Sequence, residues 1–299
     1  DVAPSRGLGD VYKRQKAYLN ELMMDDNSGQ PSAKEVFDTT PYTILVVDDN
    51  PDMTDFLKRT FEGYFKRIII AGDGVEALQL VRSHVPDIIV SDVMMPRMNG
   101  YKLCKTIKED INISHIPVIL LTARDDRQSQ ISGYKNGADG YLSKPFEVEM
   151  LMELIRNRLK NREYTKKRYL NAGLIPTPEE STISLTDETF LIKLNSIIQE
   201  NIDNTNLGIQ FICQEVGLGR SSLYNKLKAL TGMGANEYIS KLRIEKAITL
   251  ISGTDMPFSE IAEKTGFTTP SYFSTAFKQY TGETPSQYKE RKKKGLADK

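Results

Sequence analysis

The sequence predicts an α/β domain built on a doubly wound parallel sheet of five strands, followed by a separate all-α domain. Between residues 42 and 161, short apolar runs alternate with helical patterns, which is typical of β-α-β units. After residue 186 only helical patterns occur. At 299 residues, with 39% hydrophobic side chains, the chain is long enough to bury a core in each domain.

Each strand of the first domain is predicted from a segment of four or five residues that contains consecutive apolar side chains, a pattern typical of strands that helices cover on both faces. These runs span 43–47, 68–71, 87–91, 117–121 and 139–142. The helical patterns of this domain span 52–62, 73–83, 100–109, 125–136 and 146–160. Those of the second domain span 187–202, 208–215, 220–230, 234–252, 258–265, 270–280 and 285–293.

The domain organisation follows from this pattern. We expect the two domains to cover 42–161 and 186–299. Residues 1–41 are polar and are expected to form a disordered tail or linker, in which 1–15 resembles a translated sequencing-library adapter. Residues 162–185 begin as a basic helical tail and end in a proline-rich stretch, so they are expected to be a semi-extended linker.

Composition excludes several classes of protein. No segment approaches the roughly 18 uninterrupted apolar residues that a membrane span needs, so no membrane contact by this chain is expected. Two cysteines do not make a disulfide framework, and a reducing, cytoplasmic location is expected. Lys+Arg and Asp+Glu both total 40, so net charge gives no indication of a nucleic-acid partner.

Polar side chains follow the strands of the predicted sheet. Asp48 and Asp49 follow the first strand, Asp92 the third, Thr122 the fourth and Lys144 the last. Ligands of an open parallel sheet bind beyond the carboxyl ends of its strands, so these side chains are expected to meet there. Any one aspartate in such a place is equally well explained as a turn residue.

The residue types at this edge predict phosphoryl chemistry. Clustered carboxylates repel one another unless a cation joins them, and their hard oxygens suit Mg²⁺. Asp92 can then act as the nucleophile that takes up a phosphoryl group, with Thr122 donating a hydrogen bond to a phosphoryl oxygen and Lys144 supplying positive charge. The Lys144-Pro145 bond is a candidate cis peptide that would aim the ammonium inward.

Four motifs carry a family resemblance. They are Val46-Val47-Asp48-Asp49-Asn50, Asp92-Val93-Met94-Met95-Pro96, Leu121-Thr122-Ala123 and Lys144-Pro145-Phe146. In this order they resemble a response-regulator receiver domain, which implies a flavodoxin-like (CheY-like) fold with strand order 2-1-3-4-5.

The resemblance also implies roles for single residues. Asp92 would accept phosphate from a kinase histidine, and Tyr141 would be an aromatic switch residue. The implied Mg²⁺ ligands are Asp48, Asp49, Asp92 and the backbone carbonyl of Met94.

The second domain contains a helix-turn-helix pattern. Residues 258–267 give an apolar helix face with Gly266 at the turn, and Thr269 and Pro270 suit the start of the next helix. That helix is expected to carry three aromatic side chains inward, Tyr272, Phe273 and Phe277. An apolar pattern about 49 residues upstream repeats the plan, and residues 234–252 would connect the two units.

Two such units joined by a long helix resemble the AraC-type DNA-binding domain, over about residues 188–292. Implied base-reading positions are Arg220, Ser221, Tyr224 and Asn225 in the first unit and Pro270, Ser271 and Thr275 in the second. Arg220 suits guanine and Asn225 suits adenine. Candidate phosphate contacts are Lys226, Lys228, Lys241, Arg243 and Lys278. For any single lysine, a solvated helix face is the readier explanation.

Together the two resemblances imply a phosphorylation-controlled, DNA-binding transcription regulator of a two-component system. Its implied partners are double-stranded DNA and a histidine kinase domain, in cis or in trans, and a homodimer is expected after phosphorylation. The two reading helices are expected to enter successive major grooves about 34 Å apart.

Residues 16–22 resemble the exit from a histidine-kinase ATPase domain in hybrid two-component proteins of Bacteroidetes type. The chain is therefore expected to be the C-terminal fragment of such a protein, whose parent would be anchored in the inner membrane and would sense glycan fragments. The fragment itself shows no kinase catalytic domain. The alternatives are a stand-alone response regulator and a phosphate sink whose helical domain docks a protein.

Overall fold

The computed structural model of the chain describes residues 37–123, 137–171 and 184–297. The helix predicted at 125–136, the N-terminal 36 residues and the proline-rich stretch before residue 184 lie outside the described residues. By its internal contacts the chain divides into two compact units. One comprises residues up to 108 together with 116–161, and the other comprises 109–115 together with 162 onward.

The first unit contains a parallel sheet of five strands in the order β2-β1-β3-β4-β5, which confirms the predicted topology. The strands are β1 (Thr43–Val47), β2 (Arg67–Ala71), β3 (Ile88–Asp92), β4 (Val118–Thr122) and β5 (Gly140–Ser143). The described helices that begin in this unit are α1 (Pro51–Phe61), α2 (Gly74–His84), α3 (Gly100–Glu109) and α4 (Val148–Asn171), and the residues of α4 from 162 onward belong to the second unit. The central strands are buried on both faces, as their continuous apolar runs predict.

The strand register brings the polar residues to one edge. Val47 at the end of β1 pairs with Ser91, Asp92 at the end of β3 pairs with Leu121, and Thr122 pairs with Ser143. The residues that follow β1 and β5 therefore emerge beside Asp92 and Thr122. This alignment is what positions the candidate site.

Helix α4 differs from its predicted range of 146–160. It begins two residues later and continues to Asn171, ten residues into the segment that was expected to be a linker. No glycine or proline interrupts 148–171, and Glu163 pairs with Lys166 one turn later on the helix surface. The extension thus consists of residues that tolerate a helix well.

The described regular structure of the second unit is helical, as predicted. Its helices are α5 (Leu185–Glu200), α6 (Ile209–Val216), α7 (Arg220–Thr231), α8 (Ala235–Gly253), α9 (Phe258–Lys264), α10 (Pro270–Thr281) and α11 (Pro285–Ala297). Helix α8 contributes to two cores. Tyr238 and Leu242 join the core formed with α5, α6 and α7, whereas Ile244 and Ala247 join the core formed with α9, α10 and α11.

Across the part of the chain that the structure describes, no helix combines the length and the apolar character that crossing a bilayer would require.

Candidate functional sites

Asp92 occupies the carboxyl end of β3 and is only 6% exposed. Its Oδ1 lies 2.6 Å from Nζ of Lys144, and its Oδ2 accepts a hydrogen bond of 2.7 Å from the backbone amide of Met94. Burial raises the pKa of Asp92 above its ordinary value, although the hydrogen bond and the charge of Lys144 oppose the shift. Both oxygens of this carboxylate are therefore held in place at the sheet edge.

The ammonium of Lys144 joins two carboxylates. Its Nζ lies 2.7 Å from Oδ2 of Asp48 as well as 2.6 Å from Oδ1 of Asp92. Burial lowers the pKa of Lys144, but the two carboxylates raise it by more, so the net pKa is above the ordinary value and the group stays charged. The Lys144–Pro145 bond is cis, as predicted.

The predicted metal ligands are partly brought together. Asp48 is buried, and its Oδ1 accepts a hydrogen bond of 2.9 Å from the amide of Asn50. Asp49 is exposed. Met94, whose backbone carbonyl is the predicted ligand, contacts Asp92 through its backbone amide. Among the described residues, no three His, Cys, Asp or Glu side chains are arranged as a group that could hold a metal ion. The two carboxylates that do converge meet at the Lys144 ammonium.

Thr122 and Tyr141 lie on the two strands nearest to Lys144. Thr122 is buried at the end of β4, and its carbonyl accepts a hydrogen bond from the backbone amide of Lys144. Tyr141 is half-buried on β5, and its hydroxyl lies 2.9 Å from the hydroxyl of Tyr101 at the start of α3. Sequence reasoning missed Tyr101, because nothing in the local pattern links residues 40 positions apart.

The loop between β3 and α3 approaches Asp92 closely. A Cβ at Gly100 would lie 2.2 Å from the backbone oxygen of Asp92, so a side chain cannot be added there without moving the backbone. Arg97 in this loop has a left-handed φ of 59° and forms an ion pair with Asp73, the buried N-cap residue of α2. Sequence reasoning missed this pair, which ties the loop after Asp92 to a neighbouring helix.

Helix α7 presents the residues that were predicted to read bases in the first unit. Arg220, Ser221 and Tyr224 are exposed and Asn225 is half-buried. Nη2 of Arg220 donates a hydrogen bond of 3.4 Å to Oε1 of Gln210 on α6. These residues border an open cleft of about 520 Å³, lined by Ile209, Arg220, Ser221, Leu223, Tyr224, Asn225 and Ala235.

Helix α10 begins as predicted, with the Thr269 side chain capping it and Pro270 as its first residue. The predicted readers Pro270, Ser271 and Thr275 are exposed. The expectation that Tyr272 points inward is wrong, since Tyr272 is 57% exposed whereas Phe273 is fully buried. The aromatic character of Tyr272 suggested a core position, but a residue directly before a buried one lies on a different helix face.

Lys226 was predicted to contact DNA phosphate, and this prediction is wrong. Its side chain is 0% exposed and forms an ion pair with Asp187 on α5, with Nζ 5.1 Å from the centre of the Phe190 ring. Lys226 follows Leu223 by three residues and precedes Leu230 by four, so it belongs to the buried face of α7. That spacing was the signal that could have identified it.

Two further phosphate candidates are corrected in the same way. Lys241 is buried, lies 3.8 Å from Oε1 of Glu245, and has a pKa that burial lowers below its ordinary value. Arg243 is half-buried and donates hydrogen bonds to backbone oxygens of the loop after α5. Lys228 and Lys278 are exposed, as a phosphate contact requires.

Arg243 forms a junction between the two helix-turn-helix units. Its Nε and Nη2 donate to the carbonyl oxygens of Ile202 (3.3 Å) and Asn204 (2.6 Å), beside the first unit. Gly266, in the turn of the second unit, has φ +72°, and a Cβ there would lie 2.3 Å from the same Ile202 oxygen. The guanidinium also lies 6.0 Å from the centre of the Phe267 ring. This Arg243 junction joins the loop after α5 to the turn of the second unit.

Comparison with known proteins gives matches to both units. The family model of the response regulator receiver domain matches residues 44–156, and that of a helix-turn-helix domain matches residues 212–291. Histidine kinase P4 of Formosa agariphila is 41% identical over 249 residues, which are 83% of this chain and 18% of the relative. The DNA-binding response regulator MtrA of Mycolicibacterium smegmatis is 36% identical over 136 residues, which are 46% of this chain and 58% of the relative.

A solved structure, the receiver domain of a Francisella response regulator, is 38% identical and covers 40% of this chain and 98% of its own length, with a TM-score of 0.37. The chain spans less than two thirds of the length of response regulator MtrA and less than a fifth of the length of histidine kinase P4.

Proposed function

We propose that this chain, in which a response regulator receiver domain precedes an AraC-type helix-turn-helix domain, is a phosphorylation-controlled DNA-binding transcription regulator of a two-component system. One observation carries the proposal. The Asp92 carboxylate is held at the carboxyl end of β3 by Lys144 and by the Met94 amide, in the same chain as two exposed reading helices. An acceptor of phosphate and a reader of DNA are the two parts that such a regulator needs.

The chemical step is transfer of a phosphoryl group from a kinase histidine to Asp92. A carboxylate oxygen of Asp92 attacks phosphorus while the P–N bond to the histidine breaks, and the imidazole leaves with the bonding electrons and takes up a proton. An acyl phosphate forms on Asp92. Lys144, already 2.6 Å from this carboxylate, offsets the added negative charge, and Thr122 donates a hydrogen bond to a phosphoryl oxygen.

Mg²⁺ is the proposed cofactor. Its ligands would be carboxylate oxygens of Asp48, Asp49 and Asp92 and the backbone carbonyl of Met94, all of them the hard oxygen donors that Mg²⁺ prefers. The fit rests on charge, because two buried carboxylates converge on the single ammonium of Lys144 and leave a net negative site. When bound, the ion supplies positive charge against the phosphoryl oxygens.

The output step follows from the same contacts. Phosphorylation changes the charge beside Lys144, which directly follows β5, and beside Thr122, which pairs with Ser143 of β5. Strand β5 carries Tyr141. We propose that this change favours pairing of two receivers into a homodimer. Two DNA-binding domains would then act on neighbouring half-sites, and apparent affinity would rise through effective concentration without new base contacts.

We propose further that the kinase domain belongs to the same polypeptide. The identity of 41% to histidine kinase P4, of which this chain spans 18%, supports a position inside a longer hybrid protein. Because its partner is double-stranded DNA, the chain is proposed to act in the cytoplasm. Reading the gene upstream of codon 16 tests whether a kinase domain precedes the receiver.

The acceptor assignment is tested by intact-mass analysis after incubation with acetyl phosphate and Mg²⁺. The unmodified sequence should gain one phosphate, and Asp92→Asn should gain none. Asp55→Asn, which changes an exposed aspartate of α1, is the matched control and should label normally. Labelling of Asp92→Asn to the same extent would refute the assignment. Lys144→Ala should retain phosphate on Asp92 but lose its effect on DNA binding.

DNA binding is tested by selecting bound sequences from a pool of random duplexes, with and without the phosphodonor. We expect a selected site that covers about two helical turns for each protomer. Asn225→Ala should weaken binding by about 1–3 kcal/mol at one base position. Failure to enrich any sequence would reject the regulator and leave the phosphate sink as the explanation of the receiver.

A further inference from the structure

Near its N-terminus, helix α10 exposes a large aromatic ring. Tyr272 is 57% exposed, and one edge of its ring packs against Phe267, with ring centres 5.8 Å apart and planes at 63°. Arg243 packs on the same Phe267 ring from the connecting helix. The Tyr272 ring is therefore supported on one side and open on the other.

The side chains around Tyr272 offer few hydrogen bonds to a ligand. Pro270 has none to donate, and the hydroxyls of Ser274 and Thr275 donate to the backbone oxygens of Pro270 (2.9 Å) and Ser271 (3.1 Å) within the helix. Thr275 consequently presents its methyl group and an acceptor oxygen. Beside Tyr272, the outward face of α10 therefore presents the Pro270 ring and the Thr275 methyl group, together with the exposed hydroxyl of Ser271.

The first reading helix presents different chemistry. At its exposed and half-buried positions α7 carries the guanidinium of Arg220 and the amide of Asn225, both suited to hydrogen bonding with base edges, and it also exposes the ring of Tyr224. The third residue of α7 is Ser222, whereas the third residue of α10 is Tyr272. The two reading helices therefore present different groups at equivalent positions: a guanidinium and an amide at the first and sixth residues of α7, and an aromatic ring at the third residue of α10.

In the major groove, thymine differs from the other bases by its C5-methyl group, which is read by apolar contact. We infer that Tyr272 determines the specificity of the second unit by packing against a thymine methyl group. The inference rests on the proposed function, since it names what the second reading helix recognises. A ring held by Phe267 loses little freedom on binding, which favours such a contact.

The test uses the full chain with duplexes selected as described above, in which each thymine of the second half-site is replaced in turn by deoxyuridine. Deoxyuridine pairs as thymine does and lacks only the methyl group. One replacement should weaken binding about fourfold, the effect of burying one methyl group. Tyr272→Ala should bind the thymine and deoxyuridine duplexes equally, and Tyr272→Phe should keep the fourfold difference.

Tyr280→Ala is the matched control. Tyr280 is an exposed tyrosine of the same helix whose hydroxyl donates to Oε1 of Glu245 (3.4 Å), so its loss should leave the thymine preference intact. The inference is overturned if no deoxyuridine replacement weakens binding of the unmodified chain, or if Tyr272→Ala retains the difference. Specific binding with no methyl dependence would reject this inference alone, whereas absence of any specific binding would reject the proposed function with it.

Discussion

Replacing Lys226 with methionine should destabilise the DNA-binding domain and leave its electrostatic attraction to DNA unchanged. The ammonium of Lys226 is completely buried and pairs with Asp187, which is itself almost completely buried. Methionine is similar in length, so the packing against Leu223 and Leu227 is largely kept. The main change is that the buried Asp187 carboxylate loses its ammonium partner and keeps only neutral donors, the hydroxyls of Ser114 and Ser184.

The expected size of the effect is about 3–5 kcal/mol, the usual loss when one member of a buried ion pair is removed. No reduction for solvent screening applies, because neither side chain of the pair reaches water to a significant extent. Hydrogen exchange by mass spectrometry, applied to the full chain, measures the free energy of local unfolding of each helix and strand. Amides of α5 and α7 should exchange faster in Lys226→Met, whereas those of β1 and β3 should not.

Lys228→Met is the matched control, two residues along the same helix. Lys228 is exposed, so its replacement should change the free energy of local unfolding, as measured by hydrogen exchange, by less than about 0.5 kcal/mol. It should, however, weaken binding to all DNA sequences and flatten the dependence of affinity on salt by about one released counterion. The reasoning fails if Lys226→Met flattens the salt dependence instead, or leaves exchange in α5 and α7 unchanged.

Three further outcomes are expected. Burial alone raises the pKa of Asp187, but the charge of Lys226 and the hydrogen bonds from Lys226, Ser114 and Ser184 together outweigh it and hold the pKa below 3.8. This stabilisation is therefore complete above pH 3.8 and is lost as the pH falls through the folded-state value. Melting temperatures of the unmodified chain and Asp187→Asn should therefore converge below pH 3.8. Gly100→Ala should destabilise the receiver by about 1–3 kcal/mol in circular-dichroism melting and slow phosphate uptake, because its Cβ meets the Asp92 carbonyl. Arg243→Ala should lower the free energy of unfolding of α8 and α9, measured by hydrogen exchange, by about 1–3 kcal/mol. The reason is that the carbonyl oxygens of Ile202 and Asn204 lose their hydrogen-bond donor.

Much of the receiver could be predicted because its sequence pattern is simple. Strand β1 covers the predicted residues, β2 begins one residue earlier than predicted, and the other three strands begin and end one residue later. Since all five strands run in the same direction, a polar residue just after an apolar run must lie at the carboxyl edge. The meeting of Asp48, Asp92 and Lys144 follows from that rule alone.

The errors concern which side of a helix a residue occupies and which partner it finds. Lys226 was assigned by charge, although its spacing from Leu223 and Leu230 indicates the buried face. Tyr272 was assigned by its aromatic ring, although its neighbour Phe273 fills the core. The ion pair of Arg97 with Asp73 could not be predicted, because it depends on how a loop packs on a distant helix.

The Arg243 junction bears on the layout of the promoters this chain can use. One guanidinium and one glycine turn hold the second unit against the loop that leads into the first unit. Inserting a single base pair between the two recognition sequences shifts the second by about 3.4 Å and about a tenth of a turn. A junction of this kind cannot follow that change, so the length of the spacer DNA constrains a promoter as strictly as its bases do.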